Sequence, residues 1–71
     1  MDVNQEKVLK VLENHKDWIT TPQIAYQAGI KAPASAFYAL LGLWKDDKVE
    51  MIDSKREDGK TTVRLWRLKR L

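Results

Sequence analysis

Ser35, Tyr38, Gly42 and Lys45 follow one another at spacings of three, four and three residues. In a helix that spacing lines side chains along one face. Two hydroxyls and an ammonium on such a stripe are groups that bond phosphate oxygens and base edges. Ala39, beside them, is the small apolar type that packs on a thymine methyl. Gly42 costs a helix roughly 1 kcal/mol relative to alanine. Close approach of backbone to DNA accounts for it, and so does room for a neighbouring helix. Tyr38 has a lesser alternative as a core aromatic with its hydroxyl at the edge.

A second set of groups is cationic. Lys55, Arg56 and Lys60 surround an Asp58-Gly59 pair, and Arg64 follows on a β-branched, aromatic run. A basic hairpin of this kind can track a minor groove or its phosphates. Arg67, Lys69 and Arg70 read as a solubilising tail or a second contact, with the tail favoured. Lys31 falls between two helical patterns, and Thr21 and Gln23 fall at a helix start. All three are placed to share contacts with a duplex. The expected DNA-contacting set is therefore Thr21, Gln23, Lys31, Ser35, Tyr38, Ala39, Gly42, Lys45, Lys55, Arg56, Lys60 and Arg64.

The residue types needed for catalysis are sparse. His15 is the single histidine and cysteine is absent, so no thiolate or histidine-pair metal site is expected. Asp46 and Asp47 are adjacent and point apart on a helix end. Gly29 and Gly59 stand alone, without phosphate-cradle spacing. No Ser/His/Asp set is assembled. The expectation is no enzyme, no cofactor and no small-molecule ligand.

Charge is distributed unevenly. Residues 1–54 carry six Lys/Arg against eight Asp/Glu, whereas residues 55–71 carry seven against two. A basic end on an acidic body implies an anionic partner at that end. The 71 residues suit one domain, residues 1–71, that buries only about 60% of its unfolded surface. The first residues lack the basic and apolar regions of a secretory signal. The apolar stretch from Ala32 to Trp44 is too short to span a bilayer. A cytoplasmic protein without membrane contact is expected.

The elements that must position these groups follow from local signals. Val8, Leu9, Val11 and Leu12 mark a helix over about residues 3–15, started by Asp2 and Gln5 as a capping box. Trp18-Ile19-Thr20 is a strand-like step. Thr21 caps a short second helix with Pro22 in its first turn, and Gly29 ends it. Pro33 opens a third helix running to about Asp46, with Ala36, Phe37, Leu40, Leu43 and Trp44 facing inward. Asp47 substitutes for glycine at its end. Residues 49–53 and 61–68 read as strands joined by a 54–60 loop whose Asp58-Gly59 is a hairpin-turn signal. Trp18, Trp44 and Trp66 are expected to fill the core, with Leu12, Leu40 and Leu43.

The order predicts an α+β winged helix-turn-helix: three helices with a small antiparallel hairpin wing. Leu40, Leu43, Asp47 and Val49 match the frame in which such proteins end the recognition helix and begin the wing, with aspartate in the glycine position. Thr21 to Ile30 matches their positioning helix and turn. The chain resembles winged-helix transcription regulators over nearly its whole length. It most resembles the very small bacterial regulators of fimbrial (pilus) operons, which have a tyrosine in the recognition helix and a tryptophan near the end of the last strand; Tyr38 and Trp66 stand at comparable places. It departs from them in Glu57 and Asp58, which interrupt the basic wing, and in a less basic third helix. The resemblance implies sequence-specific binding of double-stranded DNA, in concert with a global transcription regulator. The lack of Arg, Asn and Gln on the third helix keeps a second reading open, a winged helix that binds only other proteins.

Overall fold

Asp2 and Gln5 open the first helix as a reciprocal pair: Gln5 N donates to Asp2 Oδ1 at 2.7 Å and Asp2 N donates to Gln5 Oε1 at 3.4 Å. Two of the N–H groups that a helix start leaves without partners are thereby bonded. The computed structural model describes residues 1–70; Leu71, the last residue of the expected domain, lies outside the described residues. In it α1 spans Val3–Glu13, β1 Ile19–Thr20, α2 Thr21–Ala28, α3 Pro33–Lys45, β2 Val49–Lys55 and β3 Thr62–Leu68.

The cap of α2 is Thr20, one residue earlier than expected. Thr20 is extended and Gln23 lies three residues on, so these two form the capping box that Thr21 cannot. α2 and α3 end alike. Gly29 has φ 71° and Asp47 has φ 63°. Ile30 N reaches back to the Ala25 carbonyl and Lys48 N to the Leu43 carbonyl, both at 2.9 Å. This is the left-handed termination that glycine adopts freely and aspartate tolerates.

The sheet is antiparallel in the order β1-β3-β2. β3 is central because Trp66 pairs with Ile19 on one side and Met51 on the other. β2 is longer than expected and β3 begins one residue later than expected: Lys55 pairs with Thr62, so Lys55 belongs to β2 and not to the loop.

The helices pack over one face of this sheet. Val8, Val11 and Leu12 of α1, Ile24 and Ala25 of α2, and Ala36, Ala39, Leu40 and Leu43 of α3 meet Ile19, Val49 and Trp66. Leu12, Leu40, Leu43 and Trp66 are buried, as the apolar pattern predicts. Trp44 is not. It is 44% exposed, because the residues three and four apart that dock on the body are Ala36, Ala39, Leu40 and Leu43, and Trp44 lies off that stripe. The order of elements and the way they pack make this an α+β winged helix-turn-helix fold. Among the described residues no helix is long and apolar enough to cross a membrane.

Candidate nucleic-acid interface

With the core stripe of α3 located, its outward face follows by rotation. Opposite Ala36, Ala39, Leu40 and Leu43 lie Ala34, Tyr38, Leu41 and Lys45. Ala34 and Lys45 are exposed, Leu41 is half-buried, and Tyr38 is 71% exposed. Tyr38 is therefore a surface group.

The expected stripe departs from this face at three positions. Ala39 is 5% exposed and belongs to the core, so contact with a thymine methyl is not available to it. Ser35 is half-buried. Gly42 faces α1: a Cβ there would collide with Gln5 Nε2. The glycine thus makes room for a neighbouring helix rather than for DNA. Ala34 and Leu41 lie outside the expected set because apolar spacing alone places Phe37 and Trp44 on the inward face. Ala39, joined to Ala36, Leu40 and Leu43 as the docking face, is the signal that turns Ala34 and Leu41 outward.

The positioning helix contributes less than expected. Thr21 Oγ1 accepts a 2.7 Å hydrogen bond from the indole Nε1 of Trp66, which ties it to the core. Gln23 is exposed, but its Oε1 accepts from Thr20 N and Oγ1, leaving only its amide N–H groups for a ligand. Lys31 stands exposed in the turn between α2 and α3.

The wing supplies charge. Lys55, Arg56 and Lys60 are exposed and enter no ion pair among the described residues. Its tip is held by Asp58, whose Oδ1 accepts from Lys60 N at 2.9 Å and Thr61 N at 3.0 Å, while Oδ2 accepts from Thr61 Oγ1. These bonds, led by that from Thr61 N, hold the Asp58 carboxyl below its ordinary pKa. Gly59 next to it has φ 70°. The acidic break in the basic wing is thus a turn-forming device.

Arg64 is not free. It is the cross-strand partner of Asp53, and its Nε donates to Asp53 Oδ1 at 2.9 Å, with Nη2 3.5 Å from Oδ2. That hydrogen bond chiefly holds the Asp53 carboxyl below its ordinary range and raises the Arg64 pKa. The guanidinium carbon lies 5.3 Å from the Phe37 ring centroid. Phe37 packs edge-on to Trp66 at 6.1 Å and lies 5.9 Å from Tyr38. Side chains alternate along a strand, so Arg64 and its partner Asp53 share the face of Trp66 and Met51, which turns toward the helices. Lys55 continues that face. The result is a ridge from Tyr38 through Phe37 to Arg64 and Lys55, joining the exposed face of α3 to the wing.

The expected basic tail is pinned to the body instead. Arg67 lies within β3, pairs with Glu50 at 3.2 Å and stacks 4.2 Å from the centroid of Trp18. Lys69 pairs with Asp47, and Arg70 Nη2 reaches the Lys16 carbonyl at 3.5 Å. His15 Nε2 stands 2.7 Å from Gln27 Oε1, linking the end of α1 to α2. Among the described residues no three His, Cys, Asp or Glu side chains gather in a metal-binding group.

No protein-family model and no curated protein sequence matches the chain. The fold is similar to a solved structure of a possible transcriptional regulator from Methanosarcina mazei Go1, with a TM-score of 0.86 and 13% sequence identity. The match covers 99% of this chain and 57% of that one, so the present chain spans little more than half of its neighbour's length. At this identity the likeness is one of fold.

Proposed function

We propose that this chain is a duplex-DNA-binding module with a role in transcriptional regulation, and not an enzyme. One observation carries the reading. Lys55, Arg56 and Lys60 are exposed and enter no ion pair among the described residues, on a hairpin whose Arg64 lies 5.3 Å from the ring centroid of Phe37 of α3, the neighbour of the exposed Tyr38. A helix of this size fits the major groove, and a basic hairpin beside it meets the flanking backbone or minor groove. The similar fold of a possible transcriptional regulator supports the regulatory role. The sequence resemblance to fimbrial-operon regulators supports a fimbrial target in a bacterial cytoplasm, with a global regulator as co-acting partner.

A second reading is favoured by one feature of α3. Ala34, Leu41 and Trp44 make much of its accessible surface apolar, which suits docking on another protein. The two readings differ in salt dependence. Each phosphate contact contributes about 0.9 to the slope of log affinity against log salt. Replacing Lys55, Arg56 and Lys60 together by alanine should weaken binding to every duplex and flatten that slope by up to about three units. Tyr38→Phe should instead lower the preference for a selected duplex over a scrambled one and leave the slope unchanged. A parent protein that binds duplex more weakly than about 0.1 mM in low salt would favour the protein-docking module.

A further inference from the structure

Among the described residues, Arg64 is the one cation of the hairpin that is both paired with a carboxylate and set against α3. Asp53 takes one N–H from Nε and faces Nη2. That orients one edge of the guanidinium and leaves three of its five N–H groups unused, including both on Nη1. The plane is further limited by Phe37, 5.3 Å from the guanidinium carbon, whose ring is next to that of Tyr38 in the N-terminal half of α3. In a helix-turn-helix protein that half of the recognition helix meets base edges. A planar fork with a free edge is the shape that bonds guanine O6 and N7 together. The pairing is otherwise hard to justify. Arg64 and Asp53 are substantially exposed, at 37% and 49% of their side chains, and exposed pairs add little stability. A carboxylate on a phosphate-facing surface also repels the ligand.

Resting on the DNA-binding reading above, we infer that Asp53 is a positioning residue that presents Arg64 to a base edge in the groove occupied by α3. Asp53 lowers affinity for all duplexes by its charge and raises discrimination among them by holding the fork. The opposed signs separate this role from a structural one.

The test uses the whole chain and two duplexes, one enriched by the parent from a randomised pool and one scrambled. Asp53→Ala should bind the scrambled duplex more tightly than the parent, while the ratio of affinities for the two duplexes falls by about tenfold. Asp53→Glu should restore part of that ratio. Arg64→Lys keeps the charge and loses the fork, so the ratio should fall as far with the salt slope unchanged. Melting temperatures verify that each variant is folded, and both side chains are exposed enough for that to hold. If Asp53→Ala tightens both duplexes equally and keeps the ratio, Arg64 contacts only phosphate and the inference is overturned while DNA binding stands. If the parent binds neither duplex, both fall.

Discussion

The indole Nε1 of Trp66 donates a 2.7 Å hydrogen bond to Thr21 Oγ1, joining the central strand to the first turn of α2 across 45 residues. Trp66 is 0% exposed, and its N–H has no water to turn to. Every described buried side-chain nitrogen and oxygen has a partner, which is what low-dielectric surroundings require. The bond also fixes α2, and through it the turn carrying Lys31, relative to the sheet.

Removing the acceptor should therefore be costly. Thr21→Val keeps the shape and leaves a buried donor unpaired, which should cost about 1–3 kcal/mol. Thr21→Ser should retain most of the stability. Urea unfolding of the two variants checks this, and equal midpoints would show that the hydroxyl is dispensable.

Core position and exposure separate two neighbouring side chains of α3. Leu40→Ala should lose roughly 2–5 kcal/mol, since Leu40 is wholly buried and its loss leaves a cavity. Trp44→Ala, at a 44% exposed site, should lose no more than about 1 kcal/mol. Thermal melts followed by circular dichroism would reveal a reversed order, and with it a wrong rotation of the helix.

Gly42 provides a test of which partner it serves. In Gly42→Ala the new methyl displaces the Gln5 side-chain amide and with it the long 3.4 Å bond from Asp2 N, while α3 gains up to about 1 kcal/mol of helix propensity. Slight stabilisation with duplex affinity unchanged is expected. A marked loss of duplex affinity at unaltered stability would put Gly42 at the nucleic-acid surface after all.

Acid should open the wing. Asp58 and Asp53 have folded pKa values below their ordinary ones. Such groups add stability that is full above the unfolded pKa of about 3.9 and is lost as pH falls through the lower folded value. The amide signals of Lys60 and Thr61 should shift together in that acid range, before those of the helices. Asp58→Ala, which removes both acceptor oxygens, should show the open form at neutral pH. Shifts for Lys60 and Thr61 that match those of an unstructured peptide at neutral pH would contradict the turn.

Much of the fold was legible because it is written locally. The Asp2–Gln5 box, the left-handed Gly29 and Asp47, and the turn at Asp58-Gly59 depend on residues within a few positions of one another. Strand and helix order follows from those punctuation marks and from apolar spacing. What the chain could not declare was the rotation of α3. Apolar residues surround that helix, so Ala36 and Ala39 compete with Phe37 and Trp44 for the core, and only docking against α1, α2 and the sheet chooses between them. The pairings of Thr21 with Trp66, Asp53 with Arg64 and Arg67 with Glu50 and Trp18 are likewise tertiary. Each joins residues that strand register and helix packing bring together, and no short spacing encodes them. The basic count of the last residues was therefore readable from the sequence, while the division between cations left free for a partner and cations held by the body belongs to the folded chain.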